Sequence, residues 1–215
     1  MLKKKQRLTI YLFSLAIYFL FTLYNFLASS DWLFDSTLSM ALITAVFMIS
    51  RWIKLDKFEF MMINLALIIH NLGTFDFYEW HWWIIQYDHV VHFAASAVSA
   101  YIIFDFLARK LHIKEKQRRK HTVIDENKAI FITLAISIVV LLGTAIELIE
   151  FAGFTYLREG GGILFPGSGD SVKIGDPTYQ YIDTMSDIIT NVLGSISGVL
   201  YYYFTQYKRK PWLKY

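Results

Sequence analysis

Six long apolar stretches constrain the fold of this chain more than any other feature of its sequence. They cover residues 8–27, 33–52, 58–77, 82–107, 128–153 and 182–207. A helix that crosses a bilayer needs roughly 20 mostly apolar residues, because its backbone polar groups must be satisfied within the helix. We therefore predict an all-α fold: a polytopic membrane helical bundle with about six transmembrane helices. The predicted spans form a single integral membrane domain over residues 1–215.

The composition supports a membrane protein and excludes several other classes. Hydrophobic residues make up 55% and charged residues 18% of the chain, whereas soluble domains carry about a quarter charged residues. The net charge is only +3, and the basic residues form short clusters between apolar stretches, so we expect membrane lipid and no nucleic acid as a partner. The absence of cysteine excludes disulfides, thiolate metal sites and a cysteine nucleophile. The oligomeric state stays open.

The distribution of basic residues predicts the orientation of the chain. Of the 21 lysine and arginine residues, 19 fall before the first stretch, between stretches two and three, between four and five, or after the sixth. Only Arg158 and Lys173 fall on the other side. The positive-inside rule then places both termini in the cytoplasm, which agrees with an even number of spans. The first stretch is longer than a signal-peptide core, so we expect it to be an uncleaved anchor.

Ionisable residues recur at one depth of the predicted bundle. The fourth stretch carries Asp88, His89 and His92 near its outer end, and the topology brings two other helices to the same level. Those helices contribute Glu147 and Glu150 from the fifth stretch and Asp183, Asp187 and Asn191 from the sixth. Spacings of three and four residues place each set on one helix face. Because ionisable residues are costly inside a membrane, we expect this layer to be functional.

The excess of carboxylates in this layer predicts a metal site. Five carboxylates face at most the two outer cations, and like charges in a medium of low dielectric constant favour recruitment of a cation. Oxygen and imidazole donors without sulfur suit Mg²⁺, Mn²⁺, Ca²⁺ or Zn²⁺. The predicted metal ligands are Asp88, His92, Glu147, Glu150, Asp183 and Asp187, and the predicted catalytic residues are Asp88, His92, Glu147 and Asp187. The competing interpretation is that these residues are simply solvated, with Asp183 as a helix N-cap.

Other polar residues receive structural interpretations. We expect His70 and Asn71 to make interhelical hydrogen bonds, with lining of the polar layer as the alternative. Asp105 and Arg109, four residues apart, are typical of an ion pair on a helix surface. Small residues at 94–100 and 194–198 indicate close helix packing. The glycine-rich loop at 154–181 has no strand before it and no GKS or GKT ending, so it is not a phosphate-binding loop. It is interpreted either as a lid over the polar layer or as an inert connector.

Three motifs resemble known membrane-protein families. Residues 87–93 (YDHVVHF), 147–150 (ELIE) and 183–194 (DTMSDIITNVLG) resemble the YjdF-like family of bacterial inner-membrane proteins, and more distantly the VanZ-like proteins associated with glycopeptide resistance. The chain departs from the VanZ-like pattern at His89 and Glu150, where those proteins have Lys and Gln. The resemblance implies a multi-pass protein of the bacterial plasma (inner) membrane and no particular reaction.

Three functions fit these features, so whether the protein is an enzyme stays open. The first is a metal-dependent enzyme acting on a lipid or lipid-linked envelope substrate at the outer leaflet. The second is a cation- or proton-coupled transporter, which is disfavoured because the inner halves of the spans show no matching polar path. The third is a non-catalytic scaffold or stress-resistance protein whose polar cluster locks three helices together.

Overall fold

In the part of the chain that the structure describes, the fold is all-α, with six helices that occupy the six apolar stretches. The computed structural model describes residues 4–30, 32–83, 85–115, 128–156 and 177–207. The helices are α1 (Lys4–Leu27), α2 (Leu33–Ile49), α3 (Lys57–Gly73), α4 (Tyr87–Glu115), α5 (Lys128–Tyr156) and α6 (Pro177–Tyr202). A 3₁₀ turn at Phe77–Glu79 follows α3, and a π-helical turn at Tyr203–Tyr207 continues α6. The glycine-rich loop, with Arg158 and Lys173, lies outside the described residues.

Three of the described helices are long and apolar enough to cross a membrane. They are α1 over Lys5–Leu27, α4 over Tyr87–Arg109 and α5 over Ala129–Gly153. Helix α2 is apolar as well, but it has only 17 residues, as does α3. Few residues of the three long helices are buried within the protein itself, which leaves broad apolar faces for lipid.

The chain divides into two compact units. The first comprises Met1–Val91 and Ile146–Asp187, and the second comprises His92–Ala145 and Ile188–Tyr215. Helices α4, α5 and α6 each contribute residues to both units.

In the first unit, α1, α2 and α3 are joined by aromatic and polar contacts. Tyr11 of α1 stacks on Phe47 of α2 with ring centroids 4.2 Å apart. The Tyr18 hydroxyl donates to the backbone oxygen of Asn64 at 3.0 Å. The side chain of Asn71 donates to Ser39 of α2 at 2.8 Å, which confirms the interhelical hydrogen bond expected of this residue. The ring of His70 shares a 2.8 Å hydrogen bond with the Tyr78 hydroxyl in the 3₁₀ turn that follows its own helix. Such bonds satisfy polar groups that would otherwise be stranded among apolar helices.

Helix α3 begins with a capping box. The Asp56 carboxylate accepts from the Glu59 backbone N–H at 2.9 Å, and the Glu59 carboxylate accepts from the Asp56 N–H at 2.6 Å. The two acids therefore satisfy backbone donors at the helix start.

A short β-hairpin connects the 3₁₀ turn to α4. Strand β1 (His81–Trp82) pairs antiparallel with β2 (Ile85–Gln86), with Trp82 opposite Ile85. The Tyr87 N–H donates to the Trp80 carbonyl at 3.0 Å and closes the base of the hairpin. The Tyr87 hydroxyl donates to the Ile69 carbonyl at 2.7 Å, so the first residue of α4 is tied to α3.

In the second unit, α4 and α6 approach each other closely. A Cβ atom added at Gly198 would clash with the Ala97 carbonyl, and one at Gly194 would lie 2.5 Å from the Phe93 carbonyl. Ser96 donates to the Asn191 side-chain oxygen at 2.5 Å. The predicted close packing through small residues is confirmed here.

Candidate metal site on helices 4 and 6

Two carboxylates and one imidazole meet where the first turns of α4 lie beside α6, about three turns after α6 begins. Each of Asp88, His92 and Asp187 offers one ligand atom, and the three atoms all lie within 4.8 Å of one another. Atoms bound to one metal ion lie about 2.0–2.5 Å from it, so two of them are at most about 5 Å apart. The spacing and chemistry of this donor set therefore fit a single divalent ion.

Helical periodicity positions these side chains. Asp88 and His92 are one turn apart on α4, so both point to the same side of that helix. Asp183 and Asp187 have the same relationship on α6. Because α6 begins at Pro177, Asp183 lies inside the helix and the alternative interpretation of this residue as an N-cap is wrong.

Asp187 is the most enclosed of the three residues whose ligand atoms meet. Its residue is 1% exposed, and its Oδ1 atom makes no hydrogen bond within the described part of the chain. The carboxyls of Asp88, Asp183 and Glu147 all act on it electrostatically, and Asp88 is also within hydrogen-bonding reach. Four carboxyl groups from three helices thus share one buried region, where negative charge is costly without a cation.

The remaining predicted ligands are placed differently. Glu147 of α5 is fully buried beside Asp187, and Asp183 is 6% exposed. Glu150 lies three residues after Glu147 and is half-buried. Neither glutamate nor Asp183 belongs to the group of three whose ligand atoms meet.

His89 was predicted to lie in the polar layer, but it was not among the predicted ligands or catalytic residues. Its Nδ1 atom accepts a hydrogen bond from the Gln86 backbone N–H at 3.1 Å, and its Nε2 atom lies 3.9 Å from Asp187 Oδ1. A ring nitrogen that accepts a hydrogen bond carries no proton, so the neutral ring has its N–H at Nε2, on the Asp187 side. Its position three residues after Gln86 is the available sequence signal, since this spacing is typical of a side chain that caps a helix start.

The family comparison agrees with the helical architecture. A model of the family described as "Predicted membrane protein (DUF2238)" matches residues 7–208. The chain belongs to this family. No curated protein and no solved structure matches the chain. Membership of the DUF2238 family confirms the sequence-based resemblance at the level of a membrane-protein family and confirms that the protein resides in a membrane.

Within this DUF2238 protein, buried polar groups also continue along the second unit. Asn191 and Ser195 of α6 are at most 2% exposed, and Ser96 of α4 is 4% exposed. Asp105 is fully buried, where its carboxylate pairs with Arg109 at 2.8 Å and accepts from the Tyr202 hydroxyl at 2.7 Å. The predicted surface ion pair is therefore a buried cluster, because α6 covers it. Whether these polar groups form a continuous polar path through the inner halves of the spans is not tested by their burial, so the expectation that there is no matching path stays a prediction.

Proposed function

We propose that this membrane protein binds one divalent metal ion through Asp88, His92 and Asp187 and uses it in chemistry on a lipid or lipid-linked envelope substrate. The observation that carries the proposal is the convergence of three ligand atoms within 4.8 Å. Three protein ligands and an open position are typical of catalytic rather than structural metal sites.

The donor set favours particular ions. Carboxylate oxygens suit Mg²⁺, Ca²⁺ and Mn²⁺, whereas imidazole suits later transition metals and Zn²⁺. The presence of His92 among the three ligands therefore favours Zn²⁺, whereas the two carboxylates keep Mn²⁺, Mg²⁺ and Ca²⁺ as alternatives. A bound ion of this kind supplies a Lewis acid for a phosphoryl or carbonyl oxygen of a substrate.

The neighbouring carboxyls have separate proposed roles. Glu147 is fully buried next to Asp187, so we assign it the role of holding or moving a proton during the reaction. Asp183 and Glu150 complete the predicted ligand set as groups that bind the ion through water or orient its direct ligands. These roles extend the predicted catalytic set of Asp88, His92, Glu147 and Asp187.

The cellular setting is part of the same proposal. We propose a multi-pass protein of the bacterial plasma membrane with both termini cytoplasmic and the carboxylate cluster toward the outer leaflet. The skew of 19 basic residues to one side supports this orientation. The YjdF-like and VanZ-like resemblances of the three motifs support the bacterial inner membrane.

A cation- or proton-coupled transporter is the second candidate. The buried polar side chains of Ser96, Asn191 and Ser195, together with the Asp105 cluster, favour it because transport requires polar groups at more than one depth. A scaffold has less support. Helices α4 and α6 already pack closely at Gly194 and Gly198, so fastening them does not require four carboxyl groups.

Metal stoichiometry in lipid nanodiscs tests the proposal. Equilibrium dialysis with Zn²⁺ or Mn²⁺, followed by mass spectrometry, should find about one ion per wild-type chain and none in Asp187→Asn. Asp76→Asn is the matched control, since this exposed acid has φ +66° and asparagine tolerates that conformation. A folded wild type that takes up none of Mg²⁺, Mn²⁺, Ca²⁺ and Zn²⁺ would overturn the metal site.

Two further assays distinguish an enzyme from a transporter. A metal-dependent enzyme should convert a component of a bacterial lipid extract, detected by lipid mass spectrometry, and lose this activity in Asp187→Asn. A transporter should instead show cation or proton flux in sealed liposomes, with no altered lipid. Absence of both in metal-loaded protein would favour the scaffold.

A further inference from the structure

We propose that the tryptophan hairpin, defined as residues 80–86, is a lipid anchor that fixes the Asp88–Asp187 cluster at the boundary between headgroups and acyl chains. It follows that the substrate is an amphiphile whose reactive polar linkage lies at that depth. The substrate class rests on the proposed metal site, whereas the anchor does not.

The first observation is the exposure of large indole side chains on the hairpin. Trp82 is 69% exposed and Trp83 is 88% exposed, and Trp80 just before the hairpin strands is 50% exposed. Tryptophan concentrates where apolar surface meets water at a membrane, because its ring is apolar and its N–H still needs a hydrogen-bond partner.

The second observation is the backbone conformation of Trp83. Its φ angle of +57° lies in the left-handed region, which glycine or asparagine occupies at low cost and a bulky side chain does not. The chain therefore keeps an indole at a turn position that disfavours it sterically. A lipid contact outside the protein offsets this cost, since the ring makes little contact inside it.

The third observation is the absence of lysine and arginine from the sequence on either side of the hairpin. No lysine or arginine occurs in the sequence between Lys57 and Arg109. Attraction of the hairpin to anionic headgroups is therefore not the basis of the contact. The expected partner is the apolar and interfacial part of the bilayer, and α4, which starts directly after the hairpin, is one of the apolar candidate spans.

Hydrogen bonds connect the hairpin to the cluster. The Trp80 carbonyl accepts from the Tyr87 N–H at the hairpin base, and the Gln86 N–H donates to His89. The ring of His89 in turn lies 3.9 Å from Asp187. Asp88 follows the hairpin by two residues, and His92 is one helical turn, about 5–6 Å, further along. The depth of the hairpin therefore sets the depth of the ligands.

Site-directed spin labelling tests the anchor directly, because the chain has no native cysteine. Trp83→Cys and Phe19→Cys are each labelled in nanodiscs, and their accessibility to oxygen and to a water-soluble nickel chelate is measured. Phe19 is an exposed residue within the candidate span of α1 and serves as the deep reference. The label at position 83 should lie within about 5–10 Å of the lipid phosphates. A label as accessible to nickel as free label in buffer, or as deep as that at Phe19, would overturn the anchor.

Paramagnetic broadening tests the depth of the cluster. Nanodiscs of zwitterionic phosphatidylcholine are loaded with one Mn²⁺ per protein, unbound Mn²⁺ is removed by gel filtration, and the ³¹P linewidth of the lipid is compared with that of Asp187→Asn discs treated in the same way. The wild type should broaden the lipid signal at least threefold more than the variant. Bound Mn²⁺ without broadening would overturn this inference and leave the metal site intact, whereas no bound metal would overturn the metal site itself.

A double variant links the two measurements. Trp82→Ala/Trp83→Gly removes both indoles, and glycine suits the left-handed turn. It should bind the same amount of Mn²⁺ as wild type while the ³¹P broadening changes at least threefold. Unchanged broadening would show that the hairpin does not set the depth of the site.

Discussion

The Nε2 atom of His89 lies 3.9 Å from the Oδ1 atom of Asp187, while the Nδ1 atom of the same ring accepts a hydrogen bond from the backbone N–H of Gln86. This distance is too long for a hydrogen bond, and the proton of the neutral ring sits on the nitrogen that faces the carboxylate. His89 is therefore oriented as a neighbour of the metal ligands rather than as a ligand, whereas His92 joins the ligand group.

Substituting the two histidines should separate these roles. His89→Asn keeps an acceptor for the Gln86 N–H, so we expect one bound metal ion and an affinity within about 10–100-fold of wild type, as for a residue that supports direct ligands. His92→Asn removes a direct ligand and should abolish stoichiometric binding. Calorimetric titration of both variants measures the difference. Equal loss of binding in the two variants would contradict the assignment.

Metal binding should release protons. The carboxyls of Asp88 and Asp187 offer ligand atoms within 4.8 Å of each other, and sharing a proton would relieve the repulsion between two negative charges at this distance. A metal ligand must be deprotonated, so protons compete with the ion and it binds more weakly as the pH falls. Titration in buffers of different ionisation enthalpy should detect about one released proton at neutral pH. An enthalpy independent of the buffer would contradict a shared proton.

The close approach of α4 and α6 predicts a steric effect at Gly198. An added Cβ would clash with the Ala97 carbonyl, which cannot rotate away. Gly198→Ala should therefore lower the free energy of unfolding by about 1–3 kcal/mol. Thermal unfolding in detergent measures this loss, with Ser197→Ala as the control on the same turn. Equal melting temperatures for wild type and Gly198→Ala would show that the helices separate freely.

The buried Asp105 cluster predicts an order of stabilities. Tyr202→Phe removes one hydrogen bond but keeps the edge-on ring contacts to Tyr101 and Phe104, so it should cost about 0.5–1.5 kcal/mol. Asp105→Ala leaves Arg109 without its 2.8 Å carboxylate partner and should cost about 3–5 kcal/mol. Chemical unfolding in mixed micelles ranks the two, with the exposed Tyr201→Phe as the control. The reverse ranking would contradict a cluster centred on Asp105.

The capping box of α3 predicts a local effect. Asp56→Ala removes the acceptor for the Glu59 N–H and should destabilise the protein by about 0.5–2 kcal/mol. Asp56→Asn keeps an acceptor oxygen, so it should lower the free energy of unfolding by only about 0.2–0.4 kcal/mol. Thermal unfolding of both variants, in the same detergent, checks the difference.

The sequence predicted the helices and the residues that share one helix face, because both follow from short periodicities. Twenty-residue apolar stretches locate helices, and spacings of three or four residues locate faces, as for Asp88 with His92. The acids at 56 and 59 also had a readable signal, since an acid followed by glutamate three residues later is typical of a capping box. Asp56 and Glu59 limit the apolar part of the third stretch because they form the capping box at the start of α3.

The missed features depend on contacts between distant residues. In the sequence, the spacing of Asp105 and Arg109 is the same as that of an exposed helical ion pair. Their burial depends on Tyr202, which is almost a hundred residues later in the chain and contacts Asp105 only in the folded structure. The hairpin was equally hidden, because strands of two residues are too short to show alternation. The role of His89 could be assigned only once its distance to Asp187 was known, and spacing along one helix does not give the distance to a residue on another helix.

The 17-residue lengths of α2 and α3 have a consequence for the surrounding lipid. At about 1.5 Å per residue each is about 25 Å long, some 5 Å less than the usual hydrocarbon thickness. Tilting would only widen this hydrophobic mismatch, so if both helices cross the bilayer, the lipids beside them must compress. The protein would then favour thin membranes and draw the headgroups of its own annulus inward, toward the layer where Asp88 and Asp187 lie.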